Sequence, residues 1–129
     1  MNDARLNLAN EKGKLVFQRP SDSTGQIDED YFNLLVIHQN RFKGLAVGVP
    51  RNQSLTDEFF PDFIDLVVWG HEHECKTEAQ EVAANTVHIL QPGSTVATSL
   101  IKAESEPKHM FQVKIANRSF KISPIPLQN

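Results

Sequence analysis

Three histidines stand where apolar runs stop. His38 directly follows Leu34-Leu35-Val36-Ile37, His71 comes one glycine after Phe63-Ile64-Asp65-Leu66-Val67-Val68-Trp69, and His73 lies two residues further on. Imidazole nitrogens are good ligands for transition metals, so three of them arriving from two chain segments form a candidate metal site. In an extended strand residues i and i+2 share a face, which would aim His71 and His73 at one cavity and turn Glu72 and Glu74 elsewhere. Gly70 allows the close backbone approach that a turn into such a site requires. His88 and His109 show no comparable spacing and read as ordinary hydrogen-bonded histidines.

The elements that must carry these residues are strands. Phe32–Ile37 and Phe63–Trp69 are nearly continuous in apolar character, the pattern of a strand covered on both faces, and two of them imply a central sheet in an α/β structure. Their C-terminal ends form the rim where open α/β sheets bind ligands. Residues 86–90, 96–100, 110–115 and 119–122 have strand composition, and Ala116-Asn117-Arg118 would join the last two as a hairpin. Residues 3–10 carry a weak helical pattern, residues 14–18 read as a strand, and the polar stretch 19–30 as a surface loop. Residues 45–52 are loop-like, and Ser54-Leu55-Thr56-Asp57-Glu58 offers a helix start that Pro61 limits to about two turns.

Composition narrows the function classes. At 129 residues there is room for one domain, and 22% charged with 40% hydrophobic residues places the chain in the globular range, against global disorder. A net charge of −3, with no basic cluster denser than Arg41-Phe42-Lys43, argues against holding nucleic acid by protein charge alone. Bound cations would be an alternative means of holding phosphate. No apolar run approaches the ~18–20 residues of a membrane span, and a single cysteine, Cys75, allows no internal disulfide, so a soluble chain in a reducing compartment is expected.

Taken together, Val36-Ile37-His38-Gln39-Asn40-Arg41, Phe63 through Trp69-Gly70-His71-Glu72-His73-Glu74-Cys75, and Gln91-Pro92-Gly93-Ser94 resemble the meiotic recombination eleven nucleases of double-strand-break repair. These belong to the calcineurin-like metallophosphoesterases. The Gly-His-x-His element is shared by the superfamily, whereas Trp-Gly-His-Glu-His-Glu-Cys with Ile-His-Gln-Asn-Arg narrows the likeness to the repair nucleases. It covers about residues 31–127, with a weaker likeness at Asp3-Ala4-Arg5-Leu6. The resemblance implies a two-manganese phosphodiesterase acting on DNA ends, with His38 and His71 on one ion and His73 on the other. Two ions ~3.5–4 Å apart would activate water and stabilise the leaving oxygen. Arg41 and Asn40 become candidate phosphate or DNA contacts, and Gly70, Gln91, Gly93 and Ser94 site-shaping residues. Implied partners are an SMC-like ATPase subunit, a nibrin-like subunit and a second copy, in the nucleus and away from membranes, although the dimer-forming helices of the family are not recognisable here.

The departures are as informative. The family's Asp-x-His, bridging Asp and Gly-Asn-His-Asp elements do not occur: none of the aspartates at 3, 22, 28, 30, 57, 62 and 65 has a histidine two residues later, and there is no Asn-His pair. The expected fold class is therefore α/β, part of a metallophosphoesterase β-sandwich, strand-rich with few short helices. Residues 1–129 would make one partial domain, with 1–30 a helix, strand and polar loop and 31–127 the C-terminal part of the nuclease domain. Without bridging carboxylates a pair of hard divalent ions is not expected, at most one weakly held manganese, and no turnover from the chain alone. Half of a sandwich should also leave apolar strand faces and an edge open. Two other functions fit the residues: a closed zinc site of His38, His71, His73 and Cys75 that stabilises a small domain, and a non-catalytic interaction module of the repair complex.

Overall fold

The computed structural model describes residues 17–44, 54–83, 86–97, 102 and 106–128. The helix expected over 3–10, the start of the strand over 14–18, the loop 45–52 and the end of the strand over 96–100 lie outside the described residues. Strands dominate: β1 (Leu34–His38), β2 (Leu66–Gly70), β3 (Gln80–Glu81), β4 (His88–Leu90), β5 (His109–Ala116) and β6 (Ser119–Pro126). The first four form one sheet in the order β1-β2-β4-β3, in which β1, β2 and β4 run parallel and β3 antiparallel to β4. β5 and β6 form an antiparallel hairpin turned by Asn117 and Arg118, with Asn117 at φ 54°, a left-handed conformation that Asn tolerates. The strand-rich, helix-poor architecture agrees with the expected piece of a metallophosphoesterase domain. Where the sequence predicts a helix from Ser54, the chain instead makes one 3-10 turn, Asp57–Phe59. Its extended flanks at Thr56 and Phe60 leave no room for a longer helix.

The core lies on one face of the sheet. Val67 and Trp69 of β2 and Ile89 of β4 are fully buried there against Leu55, Phe60, Ile64, Val82 and Val87, with Phe17, Leu35, Ile37, Phe59 and Phe63 packed around them. Each fully buried side chain of this size contributes about 1.5–3 kcal/mol relative to exposure, so among the described residues this face carries most of the apolar stabilisation. Phe17, Phe59, Phe60 and Trp69 meet edge-to-face, the arrangement favoured by aromatic quadrupoles.

β2 is buried on both faces, as its continuous apolar sequence predicts, but β1 is not. Among the described residues no strand pairs with the outer side of β1, and Leu34 and Val36, on the face away from the core, are 48% and 68% exposed. The hairpin explains the difference. Phe120 packs on Phe32 and His88, and Arg118 donates to Asp65 at 3.0 Å, so the hairpin covers the β2–β4 side of this face and leaves β1's outer residues open.

Candidate functional site

The register of the parallel pair sets the site. His38 is opposite Gly70, so the last residue of β1 faces a position without a side chain. A Cβ at Gly70 would come to 3.2 Å from both the His38 Nδ1 and the Ile37 carbonyl, so glycine leaves the imidazole its space. Alternation would turn the next residue, His71, to the opposite face. It does not, because β2 stops at Gly70 and His71 adopts φ 75°. Backbone strain of order 1–3 kcal/mol at a non-glycine residue persists only where the surroundings over-determine it.

The result is a histidine pair. His71 Nδ1 and His38 Nε2 are 3.2 Å apart, and the rings meet at 80° with centroids 5.0 Å apart. Two nitrogens each about 2.1 Å from a common ion, at angles between square and tetrahedral, lie roughly 3.0–3.4 Å apart, so this separation fits two ligands of one cation. Burial and the neighbouring His38 and His73 hold His71 below the usual imidazole range, against the opposing pull of Glu72, and the lowered value favours the neutral ring that binds metal.

His73 does not complete the cluster. Among the described residues no group of three or more His, Cys, Asp and Glu side chains converges as a metal site. The expectation that His71 and His73 share a face assumed an extended chain, and the left-handed turn at His71 removes that basis. The His73 backbone is nonetheless fixed, its carbonyl accepting from Lys108 Nζ at 3.1 Å and Ser94 N at 3.2 Å. Cys75 points to His109, with Sγ 3.5 Å from Nδ1, rather than toward the histidine pair, and burial pushes its thiol up against the opposing pull of Lys108 and the His109 backbone.

Arg41 is a buried anchor, 7% exposed. Its Nε and Nη2 donate to the two oxygens of Asp57 at 2.8 Å, its Nη1 donates to Gln91 Oε1 at 2.8 Å, and the guanidinium sits 5.4 Å over the Trp69 ring. Each nitrogen is thus engaged within the protein. Asn40 is half-buried, and its carbonyl accepts from Leu55 N at 2.9 Å. Gln91, fully buried, joins Arg41 to the far loop by donating from Nε2 to the Glu74 carbonyl at 3.0 Å and accepting at its own carbonyl from Lys76 N at 2.9 Å. Gly93, at φ 75°, presses on the same loop: a Cβ there would lie 2.7–2.8 Å from Cys75 N, Cys75 Cα and the His73 carbonyl. The Gln91-Pro92-Gly93-Ser94 segment therefore shapes the chain around His71–Cys75.

Two residues of this frame have no sequence signal of their own. Lys108, 5% exposed, precedes the hairpin and looks like a solvated lysine in the sequence. Glu72 turns back to the β1 loop, where Oε1 accepts from Arg41 N at 2.8 Å and Oε2 pairs with Lys43. Burial of Glu72 is outweighed by these two partners, so its carboxyl lies below the usual range.

No family model matches the chain. Curated proteins do. The chain is 44% identical over 126 residues to the double-strand break repair protein MRE11 of Arabidopsis thaliana, covering 97% of this chain and 17% of that protein. It is 44% identical over 131 residues to mre-11 of Caenorhabditis elegans, covering 98% and 17%. It is 40% identical over 126 residues to MRE11 of Homo sapiens, covering 97% and 16%. Nearly the whole chain is thus similar to a segment that makes up 16–17% of these repair proteins.

Proposed function

For a chain whose kinship is with a segment of the MRE11 double-strand break repair proteins, we propose a contribution to a manganese-dependent DNA phosphodiesterase centre, as the C-terminal part of its nuclease domain. The observation that carries this reading is the His38–His71 pair, two imidazole nitrogens 3.2 Å apart at the rim of a parallel sheet. In this role His38 Nε2 and His71 Nδ1 hold one divalent cation, and His73 serves a second position once further ligands are supplied. A bound divalent cation would polarise a phosphodiester and lower the pKa of attacking water. Of the residues of this chain, His71 favours the neutral imidazole, the β1–β2 register stands His38 opposite Gly70, and Lys108 and Ser94 hold the His73 carbonyl.

The pair brings no carboxylate with it, so the chain alone binds one ion weakly and does not turn over. DNA ends, an ATPase subunit, a nibrin-like subunit, a second copy and the nucleus belong to this proposal as the setting of the whole repair protein. The Cys75–His109 contact does not favour the zinc-domain alternative, which needs Cys75 beside the histidine pair.

The test is calorimetric titration of the 129-residue chain with Mn2+, together with a cleavage assay on single-stranded DNA. One weakly bound ion, lost in both His38→Ala and His71→Ala, and no cleavage are expected. Binding that survives both substitutions overturns the site, and robust cleavage abolished by His71→Ala overturns the inactivity.

A further inference from the structure

Resting on that reading of the histidine pair, we infer that Glu72 is the positioning residue that sets the separation of His38 and His71. His38 is the last residue of β1 and His71 the first residue past β2, so the ladder that places His38 opposite Gly70 does not extend to His71. Beyond that point the loops need a tie. Glu72 provides it: next to His71 in the chain, it accepts the Arg41 N–H, three residues after His38, at 2.8 Å, and its other oxygen pairs with Lys43. Its side chain is 12% exposed, so the tie is shielded from competing water.

The other contacts in this region do not do the same work. Gln91 joins Arg41 to the Glu74 end of the loop, the Trp69 indole N–H donates to the Gln39 carbonyl at 2.8 Å from within β2, and Lys108, Ser94 and Gly93 brace His73 and Cys75. None of them runs from the residue beside His71 to the loop of His38. The left-handed turn at His71 works in the same direction. It carries the His71 ring back toward β1, and the Glu72 side chain follows the same direction to reach Arg41, so the turn and the tie stabilise one another. The contact that reaches the backbone beyond His38 is the acceptor at Oε1, whereas Oε2 pairs with the end of the long, 38% exposed Lys43 side chain.

Three variants of the 129-residue chain separate this from a general stabilising effect. Glu72→Ala removes the acceptor, Glu72→Asp keeps the charge but falls one methylene short of Arg41 N, and Glu72→Gln keeps an acceptor without the charge. Two readouts are taken: the ring-to-ring nuclear Overhauser contact between His38 and His71 without metal, and the affinity for Mn2+. Glu72→Ala and Glu72→Asp should lose the ring contact and bind Mn2+ about tenfold more weakly, the usual lower bound for partners that orient metal ligands, while Glu72→Gln keeps both within about threefold. Retention of the ring contact in Glu72→Asp overturns the inference, and so does a loss in Glu72→Gln as large as in Glu72→Ala. Glu72→Asp decides the matter if Glu72→Ala does not fold. If the unmodified chain binds no Mn2+, the metal reading falls, and the ring contact alone judges the role of Glu72.

Discussion

His71 reaches His38 only because its backbone is left-handed: the strand register places His38 opposite Gly70, and φ 75° at the next residue brings Nδ1 within 3.2 Å of Nε2. Glycine at 71 would adopt that dihedral without strain and asparagine at little cost, so neither the turn nor the fold depends on the imidazole. His71→Asn should leave the thermal midpoint within about 2 °C, equivalent to a few tenths of a kcal/mol, while abolishing Mn2+ binding. A drop of 10 °C or more would mean that the ring itself holds the loop.

The acid response follows from the same pair. Burial and the adjacent His38 depress His71 below its unfolded value of 6.5, so the folded state favours the neutral ring. The associated stability is fully present above pH 6.5 and is lost as the pH falls through the lower folded value. Imidazole titration by NMR should give a midpoint below 6.5 for His71, and urea midpoints should fall between pH 7.5 and 5.5. A His71 midpoint above 6.5 would contradict the structure.

Arg41→Ala should destabilise the chain by about 2–3 kcal/mol, below the ~3–5 of a fully buried pair because Asp57 is 34% exposed. Arg41→Lys should recover less than half of that, since an ammonium cannot span both Asp57 oxygens and Gln91 at once. Chemical denaturation of the two variants checks both values; a neutral Arg41→Ala would return this side chain to the role of a surface phosphate contact.

Gly93→Ala combines a positive φ with backbone atoms 2.7–2.8 Å from the added methyl, and cannot be relieved by a side-chain rotation. We expect a loss of about 2–4 kcal/mol and altered amide shifts at His73, Cys75 and Ser94. Unchanged spectra at those three residues would show that the approach is looser than described.

The open face of β1 should make the isolated chain associate. Val36→Lys, at a 68% exposed position on β1, should reduce self-association by sedimentation at roughly micromolar to millimolar concentration with less than ~0.5 kcal/mol change in stability. Association that persists unchanged would place the sticky surface elsewhere.

The parts of this fold legible in the sequence are those where one periodicity prevails. Leu34–Ile37 and Leu66–Trp69 read as strands from uninterrupted apolar residues, and the β5–β6 hairpin from its composition and the Asn117 turn. That the outer face of β1 is open among the described residues was hidden, since its apolar run has the composition of a strand covered on both faces. β3, with two residues, is too short for any pattern. In the site, the proximity of His38 and His71 was legible from their places at two strand ends, but the sharing of a face by His71 and His73 was a rule for extended chain applied past the end of a strand. The burial of Arg41 depends on Asp57, 16 residues on, and Gln91, 50 residues on, and no local window contains that information.

Trp69 is the sole tryptophan of the chain, fully buried, with its indole N–H donated to the Gln39 carbonyl at 2.8 Å. Its emission is therefore a built-in optical gauge of the packing next to His38: a red shift on titration with denaturant, acid or cation would report water reaching the indole as that packing loosens, with no added label.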